Sequence, residues 1–291
     1  MTDQPIIDYR FLEPLPRGII LAATPLGNIG DASPRLAQAL AQAHVVAAED
    51  TRRTRALAQA LGVEITGQVL SNFDHNEQGR AQQLVEVART HTVVVVTDAG
   101  MPIVSDPGFP LVEAAHEAGV SVTCFPGPSA VPTALALSGL HVGKFAFDGF
   151  APRKQGQRRA WLESLQQEQR AVCFFESPHR IAATLADAAE VLGAKRRAAV
   201  ARELTKTFEE VRRGGLGELA EWAAKGIKGE VSVVIEGVQH VQHEDVHSLV
   251  AVVEERVLAG ERLKSACGEV AAHYGVSKKQ LYDAVLESRA E

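Results

Sequence analysis

With 291 residues, 46% of them hydrophobic and 23% charged, the chain has the composition of an ordinary globular protein long enough for two domains, which excludes fibrous and disordered classes. No apolar run approaches the roughly 20 residues needed to cross a bilayer, and Met1 to Ile7 is polar and acidic without a basic or apolar leader, so a cytoplasmic setting is expected. The net charge of −6 argues against a uniformly polyanion-binding surface, yet Arg52-Arg53-Thr54-Arg55, Arg153-Lys154 with Arg158-Arg159, Lys195-Arg196-Arg197, and Arg202, Lys206 and Arg212-Arg213 form local clusters that would meet phosphates if folding gathers them on one face.

Through the first half, strand-like apolar runs alternate with helical patterns at short intervals, the signature of parallel βαβ units. Gly18 to Ala23 is predicted as the first strand. The turn from Thr24 to Asp31 then leads into a helix with Ser33 as N-cap and Pro34 at its first position. Val45 to Ala48 is the next strand and ends in Glu49-Asp50, followed by a helix over 51–61, a short strand near Val69 and a helix over 78–89. The four valines Val93 to Val96 suit a central parallel strand covered on both faces, and they put Asp98 at its carboxyl end, where open α/β sheets hold ligands. The loop from Thr97 to Gly108 carries the carboxylates Asp98 and Asp106, two glycines that admit positive φ or close approach, and two prolines that fix φ. A helix over 108–118, a strand over 121–125 and the punctuation Pro126-Gly127-Pro128-Ser129 before an apolar helix towards Leu137 complete this half.

After a Gly-rich break over 139–143 the character changes. Phe145 to Phe150, Ala171 to Phe175, Ala198 to Arg202, a segment around Phe208 to Arg212 and Val231 to Ile235 are predicted strands of a second sheet, with hairpins or mixed pairing, and helices over 157–167, 179–192 and 216–224 lie between them. A hydrophilic bridge from Gln239 to Glu244 leads to a small helical tail. There, Glu269 to Ser277 followed by Lys278 to Tyr282 reads as a helix-turn-helix, with Gly275 at the turn and Ser277 capping the second helix. Residues 239–291 hold six Lys and Arg against nine Asp and Glu, whereas a DNA-reading module is basic, so a packing or RNA-positioning role is favoured over a DNA-binding regulator.

Several chemistries are excluded. There is no G-x-x-x-x-G-K-[ST], no G-x-G-x-x-G at the first βα turn and no G-x-S-x-G, so nucleotide cradles and a nucleophile elbow are absent from the sequence. Cys124, Cys173 and Cys267 are scattered singly and suggest neither a disulfide framework nor a zinc site. His75, between Asp74 and Asn76-Glu77, is a single histidine among carboxylates and an amide; capping or substrate contact is favoured over a metal. What is left is a series of bent loops at strand ends, suited to a cleft for a zwitterionic or cationic small molecule.

The turn Thr24-Pro25-Leu26-Gly27-Asn28, Ala48-Glu49-Asp50-Thr51-Arg52, His75-Asn76-Glu77, Asp98-Ala99-Gly100-Met101-Pro102 with Ser105-Asp106-Pro107-Gly108, Pro126-Gly127-Pro128, Phe175 to Arg180, Ala201 to Lys206 and Gly229-Glu230 occur in an order that resembles the small-subunit ribosomal RNA methyltransferase I family, from about Gly18 to Gly237. The resemblance implies an α/β, two-domain tetrapyrrole methylase-like (class III methyltransferase) fold, with domains 1–138 and 139–238, a helical tail 239–291, S-adenosylmethionine in the cleft between the two domains, and assembly as a homodimer. It further implies 2′-O-methylation of a cytidine in the decoding region of 16S rRNA. Cofactor contacts are carried over to Pro25, Leu26, Asp98, Ala99, Gly100, Met101, Ser129, Ala130, Glu176, Leu204 and Gly229. Relatives that methylate tetrapyrroles start G-x-G-x-G where this chain has Thr24 to Gly27, which agrees with the rRNA branch. For removal of the ribose hydroxyl proton, Asp50 is the first candidate, followed by Glu49, Lys206 and His75; charge pairing of Glu49 and Asp50 with Arg52 and Arg53 is the alternative. Arg52, Arg55, Arg180 and Arg202 are assigned to rRNA phosphates or to pairing with acids. Methylation of a tetrapyrrole-like small molecule is the competing activity.

Overall fold

In the computed structural model, residues 9, 12–72, 77–106, 108–238 and 246–290 are described. Expectations for His75, Pro107 and the 239–244 bridge fall outside them. The first half runs β1 (Gly18–Ala22), α1 (Pro34–Gln42), β2 (Val45–Ala48), α2 (Thr51–Ala60), β3 (Gln68–Ser71), α3 (Glu77–Ala88), β4 (Thr92–Val96), α4 (Phe109–Glu117), β5 (Val122–Phe125) and α5 (Ala130–Ser138). Its five strands form a wholly parallel sheet in the order β3-β2-β4-β1-β5.

The valine run explains itself in this sheet. Val94 and Val96 join Ile20, Leu36 and Leu40 in an apolar layer on one face, while Val93 and Val95 join Ile19, Leu84 and Leu111 on the other. A strand covered twice has no polar face to alternate with, so Val93 to Val96 are apolar in succession. Local capping fixes the helix starts: the Ser33 hydroxyl accepts from the Leu36 N–H at 3.1 Å with Pro34 in the first turn, and Asp50 caps α2.

The second half runs β6 (Phe145–Phe150), α6 (Gln155–Ser164), β7 (Ala171–Glu176), α7 (Ile181–Leu192), β8 (Arg197–Arg202), β9 (Glu210–Gly215), α8 (Leu216–Ala223) and β10 (Val231–Ile235). The sheet order is β6-β7-β10-β8-β9; β6 and β7 are parallel and the other pairs antiparallel, the mixed pairing expected. Helices α6, α7 and α8 cover one face around Phe174, Val200 and Val233. The other face is covered by α5, whose Val131, Ala134 and Leu135 pack on Cys173, Ala201 and Val234. A helix from the first half thus seals the second sheet, and both sheets belong to one compact unit.

One strand differs from expectation. β9 begins at Glu210 rather than near Phe208, because residues 203–209 form a tight hairpin connection with Glu203 and Thr205 at φ +52° and +64°, and Arg202 pairs with Glu210 at 2.7 Å where the ladder starts. Residues 166–170 and 237–291 form a separate unit. In it α9 (Val250–Leu258), α10 (Leu263–Tyr274) and α11 (Lys278–Ala290) enclose Leu249, Val253, Cys267, Leu281 and Val285. Gly275 makes the turn at φ +69° and the Ser277 hydroxyl accepts from the Gln280 N–H at 3.4 Å, as the helix-turn-helix pattern requires.

Candidate functional site

Parallel strands all point their carboxyl ends the same way, so β1, β2 and β4 deliver Thr24, Glu49 and Asp98 to one edge. Thr24 and Gly100 exchange backbone hydrogen bonds at 2.9 and 3.0 Å, and the Thr24 hydroxyl donates to the Thr97 carbonyl at 3.1 Å. The turn after β1 is thereby tied to the loop after β4. The loops after β2 and β4 are cross-braced reciprocally. The Glu49 carboxylate accepts the Asp98 N–H at 3.0 Å, and the Asp98 carboxylate accepts the Asp50 N–H at 3.2 Å while pairing with Arg53 at 3.1 Å. Burial pushes the Asp98 carboxyl above its ordinary value, against the pull of Arg53 and of the Asp50 N–H.

Backbone strain concentrates here. Ile103 and Ser105 stand at φ +76° and +66° in the loop after β4, and a β-branched residue in that region is costly. From the second half, Gly229 at φ +93° approaches so closely that a Cβ there would lie 2.3 Å from the Glu203 side chain. Between these loops opens a cavity of about 420 Å³, within the roughly 300–1,000 Å³ of small-molecule sites. Among the described residues its charged lining is Glu49, Asp98, Asp106, Glu176, Glu230 and Arg53, with Glu176 paired to Arg180 and Glu230 to Lys206 from outside the lining; the walls themselves are predominantly acidic, which suits a cationic ligand. Leu26, Met101, Phe150 and Phe175 supply apolar wall, and Ser129 and Ser177 supply hydroxyls.

Most of the residues assigned to the cofactor converge on this cavity: Leu26, Asp98, Ala99, Gly100, Met101, Ser129, Ala130, Glu176 and Gly229 all line it. Pro25 and Leu204 do not. Leu204 is buried and packs with Leu26 beneath the wall. Among the expected proton acceptors Glu49 lines the cavity, its carboxylate also accepting the Asp98 N–H, whereas Asp50 and Lys206 do not line it. Asp50 caps α2 and pairs with Arg52 at 3.1 Å; hydrogen bonds from the Arg52 side chain and N–H hold its carboxyl down to about 2. Lys206 pairs with Glu203 at 3.0 Å and Glu230 at 3.1 Å. Burial acts to lower its ammonium, but these hydrogen bonds outweigh it and hold the group above the ordinary lysine value.

The arginines divide. Arg52 and Arg55 are exposed on α2, the helix whose Arg53 lines the cavity. Arg180 instead pairs with the fully buried carboxylate of Glu176, which also accepts from the Ser177 N–H and the Thr184 hydroxyl, each at 2.6 Å. Arg202 pairs with Glu210 and Arg159 with Glu190 near the surface, and Arg158 with Asp187 in the interior, while Arg153, Lys154, Arg212 and Arg213 stay exposed. Sequence reasoning missed Arg53, Phe150, Phe175 and Glu230. Arg53 was legible as the residue three after a capping Asp, and Phe150 as an aromatic after a strand glycine. Among the described residues no cluster of His, Cys, Asp and Glu is placed to hold a metal, and no helix is long and apolar enough to cross a membrane. Cys173 and Cys267 are buried and free, and burial pushes the Cys173 thiol up to about 12.

A family model described as Tetrapyrrole (Corrin/Porphyrin) Methylases matches residues 18–220, and one described as the RsmI C-terminal HTH domain matches residues 252–289. The ribosomal RNA small subunit methyltransferase I of Mycobacterium tuberculosis (strain ATCC 25618 / H37Rv) is 59% identical over 94% of this chain and 96% of its own length. The chain belongs to the ribosomal RNA small subunit methyltransferase I family, within the tetrapyrrole methylases. Solved structures agree on the fold of the α/β body. The methyltransferase CobJ superposes with a TM-score of 0.56 at 20% identity, covering 77% of this chain and 95% of that one. A uroporphyrin-III C-methyl transferase from Thermus thermophilus complexed with S-adenyl homocysteine gives 0.53 at 19% identity, covering 75% and 97%. Family membership makes the protein an S-adenosylmethionine-dependent methyltransferase.

Proposed function

We propose that the protein transfers the methyl group of S-adenosylmethionine to the 2′-hydroxyl of a cytidine ribose in the decoding region of 16S rRNA, acting as a cytoplasmic homodimer on the small ribosomal subunit. The observation that carries the reading is the acidic, apolar-walled cavity at the carboxyl edge of the parallel sheet, in a chain 59% identical to a relative named for small-subunit rRNA.

The donor set fits this cofactor. Its sulfonium and ammonium suit a lining rich in carboxylates, and its adenosine suits Leu26, Met101 and Phe175. When bound, the cofactor supplies an already activated methyl group, so no metal or covalent nucleophile is called for. Asp98 faces the cationic portion, and the braces between the loops after β1, β2 and β4 keep its carboxylate in place. Holding acceptor and donor in line is worth roughly 7–11 kcal/mol of barrier. With the cofactor bound and supplying the methyl group, Glu49 would accept the proton released by the ribose hydroxyl, a role typically worth about 10² to 10⁴-fold. Arg52 and Arg55 meet RNA phosphates outside the acidic cavity.

The test offers the purified protein labelled cofactor with 30S particles, naked 16S rRNA or a porphyrinoid. Label in rRNA, at a ribose 2′-oxygen, is expected; label only in the porphyrinoid overturns the reading. Glu49→Gln is expected to lower kcat by about 10²-fold or more with cofactor affinity retained. Sedimentation of the purified chain checks the dimer.

A further inference from the structure

Phe150 lines the cavity yet keeps 58% of its surface exposed, an unusual setting for a phenylalanine in the wall of a site. Its position there is made by the backbone. Along a regular strand, residues 145, 147 and 149 share one face and residues 148 and 150 the other. Asp148 follows that rule and accepts from the Trp161 indole N–H on α6 at 2.8 Å. The ladder then slips: Phe147 stands opposite Cys173 but Phe150 opposite Phe175, so β6 carries one extra residue, and Gly149 is at φ +68° within the slip. The bulge returns Phe150 to the side of Phe147. Both rings stand edge-on to Phe175, with centroids 4.9 Å away for Phe147 and 5.6 Å for Phe150. Bulges recur beside active sites, where they re-aim a side chain. Here the side chain re-aimed is a flat ring turned towards a cavity rather than into the core.

We infer that Phe150 is a stacking platform for the base of the acceptor nucleotide, braced from behind by Phe175. The inference rests on the rRNA reading above and adds to it a residue that grips the substrate. A ribose carries its 2′-hydroxyl on the carbon next to the one that bears the base. A hydroxyl brought to Glu49 therefore brings its base to the same cavity. Single-stranded RNA is read by splaying such bases onto aromatic rings, which replaces the stacking lost when the base leaves its neighbours. The cofactor's adenine is the other flat group to be housed, and the half-buried wall of Leu26, Met101 and Phe175 serves it, while Phe150 has its ring open to solvent.

The test compares wild type with Phe150→Ala, Phe150→Leu and Phe150→Trp, measuring cofactor affinity by calorimetry, kcat/KM for methylation of 30S particles, and oligomeric state by sedimentation. Phe150→Ala and Phe150→Leu are expected to lower kcat/KM for RNA by roughly 5- to 150-fold with cofactor affinity kept, and Phe150→Trp to restore it. Wild-type kcat/KM in Phe150→Ala overturns the platform alone. So does an equal loss of cofactor affinity, which would assign the ring to adenine, or a loss that tracks dissociation of the dimer, which would assign it to a second copy. Wild-type protein that labels no rRNA overturns the functional reading and the platform with it.

Discussion

The two sheets contribute to the site by different means. The parallel sheet supplies charge by topology alone: every strand ends at the same edge, so Glu49 and Asp98 meet there without any special device. The mixed sheet adds Phe150, Phe175, Glu176 and Gly229, and three of these depend on a local exception. Phe150 arrives through a bulge, Gly229 through a positive φ, and Glu176 as a buried carboxylate held by Arg180. Buried braces such as Arg180–Glu176 should therefore show first in stability, and cavity-facing side chains such as Asp98 and Phe150 in binding or turnover.

The largest effect expected from that contrast is in the second sheet. Arg180→Ala leaves the buried Glu176 carboxylate without its cation and should cost roughly 3 kcal/mol in urea unfolding. A variant as stable as wild type would break the distinction. Next comes Asp98→Ala, which should weaken cofactor binding by roughly 1.5–3 kcal/mol in calorimetry with little change in melting temperature. If affinity is unchanged, Asp98 has no part in the site. Gly229→Ala should cost roughly 1–2 kcal/mol through its positive φ, with the Glu203 side chain forced to move, and circular dichroism melts would show it. The smallest effect belongs to the exposed Asp50. Its carboxyl is held at about 2 in the folded protein against an ordinary 3.8, so its stabilisation is present above pH 3.8 and lost as pH falls through 2. Asp50→Asn should flatten that acid limb and leave cofactor affinity untouched.

The same contrast decides how much was legible beforehand. Runs such as Val93 to Val96, the Ser33-Pro34 start and the Gly275 turn carry their structure in local chemistry, and the structure has them where the pattern put them. The acidic edge followed from strand direction, so the Asp98 loop stood out. What was not legible depends on pairing across the chain. The bulge at Gly149 exists only relative to β7, and the partners of Arg180, Arg202 and Lys206 come from folding. Pairing of Asp50 with Arg52 was open in the sequence as an alternative to proton transfer, but its capping of α2 and its low proton affinity follow only from the hydrogen bonds that the fold gives it. Phe208 drew the predicted strand forward because aromatics favour strands, while the strained connection leaves it 72% exposed.

The central claim is that the methyl donor lies between the carboxyl edge of the parallel sheet and the wall formed by Phe175 and Gly229. A crystal structure of the chain with S-adenosylhomocysteine tests it most directly. The account predicts the ligand in the cavity of about 420 Å³, with Asp98, Met101, Ser129 and Gly229 in contact with it. Density for the ligand elsewhere, with that cavity filled only by solvent, would contradict it.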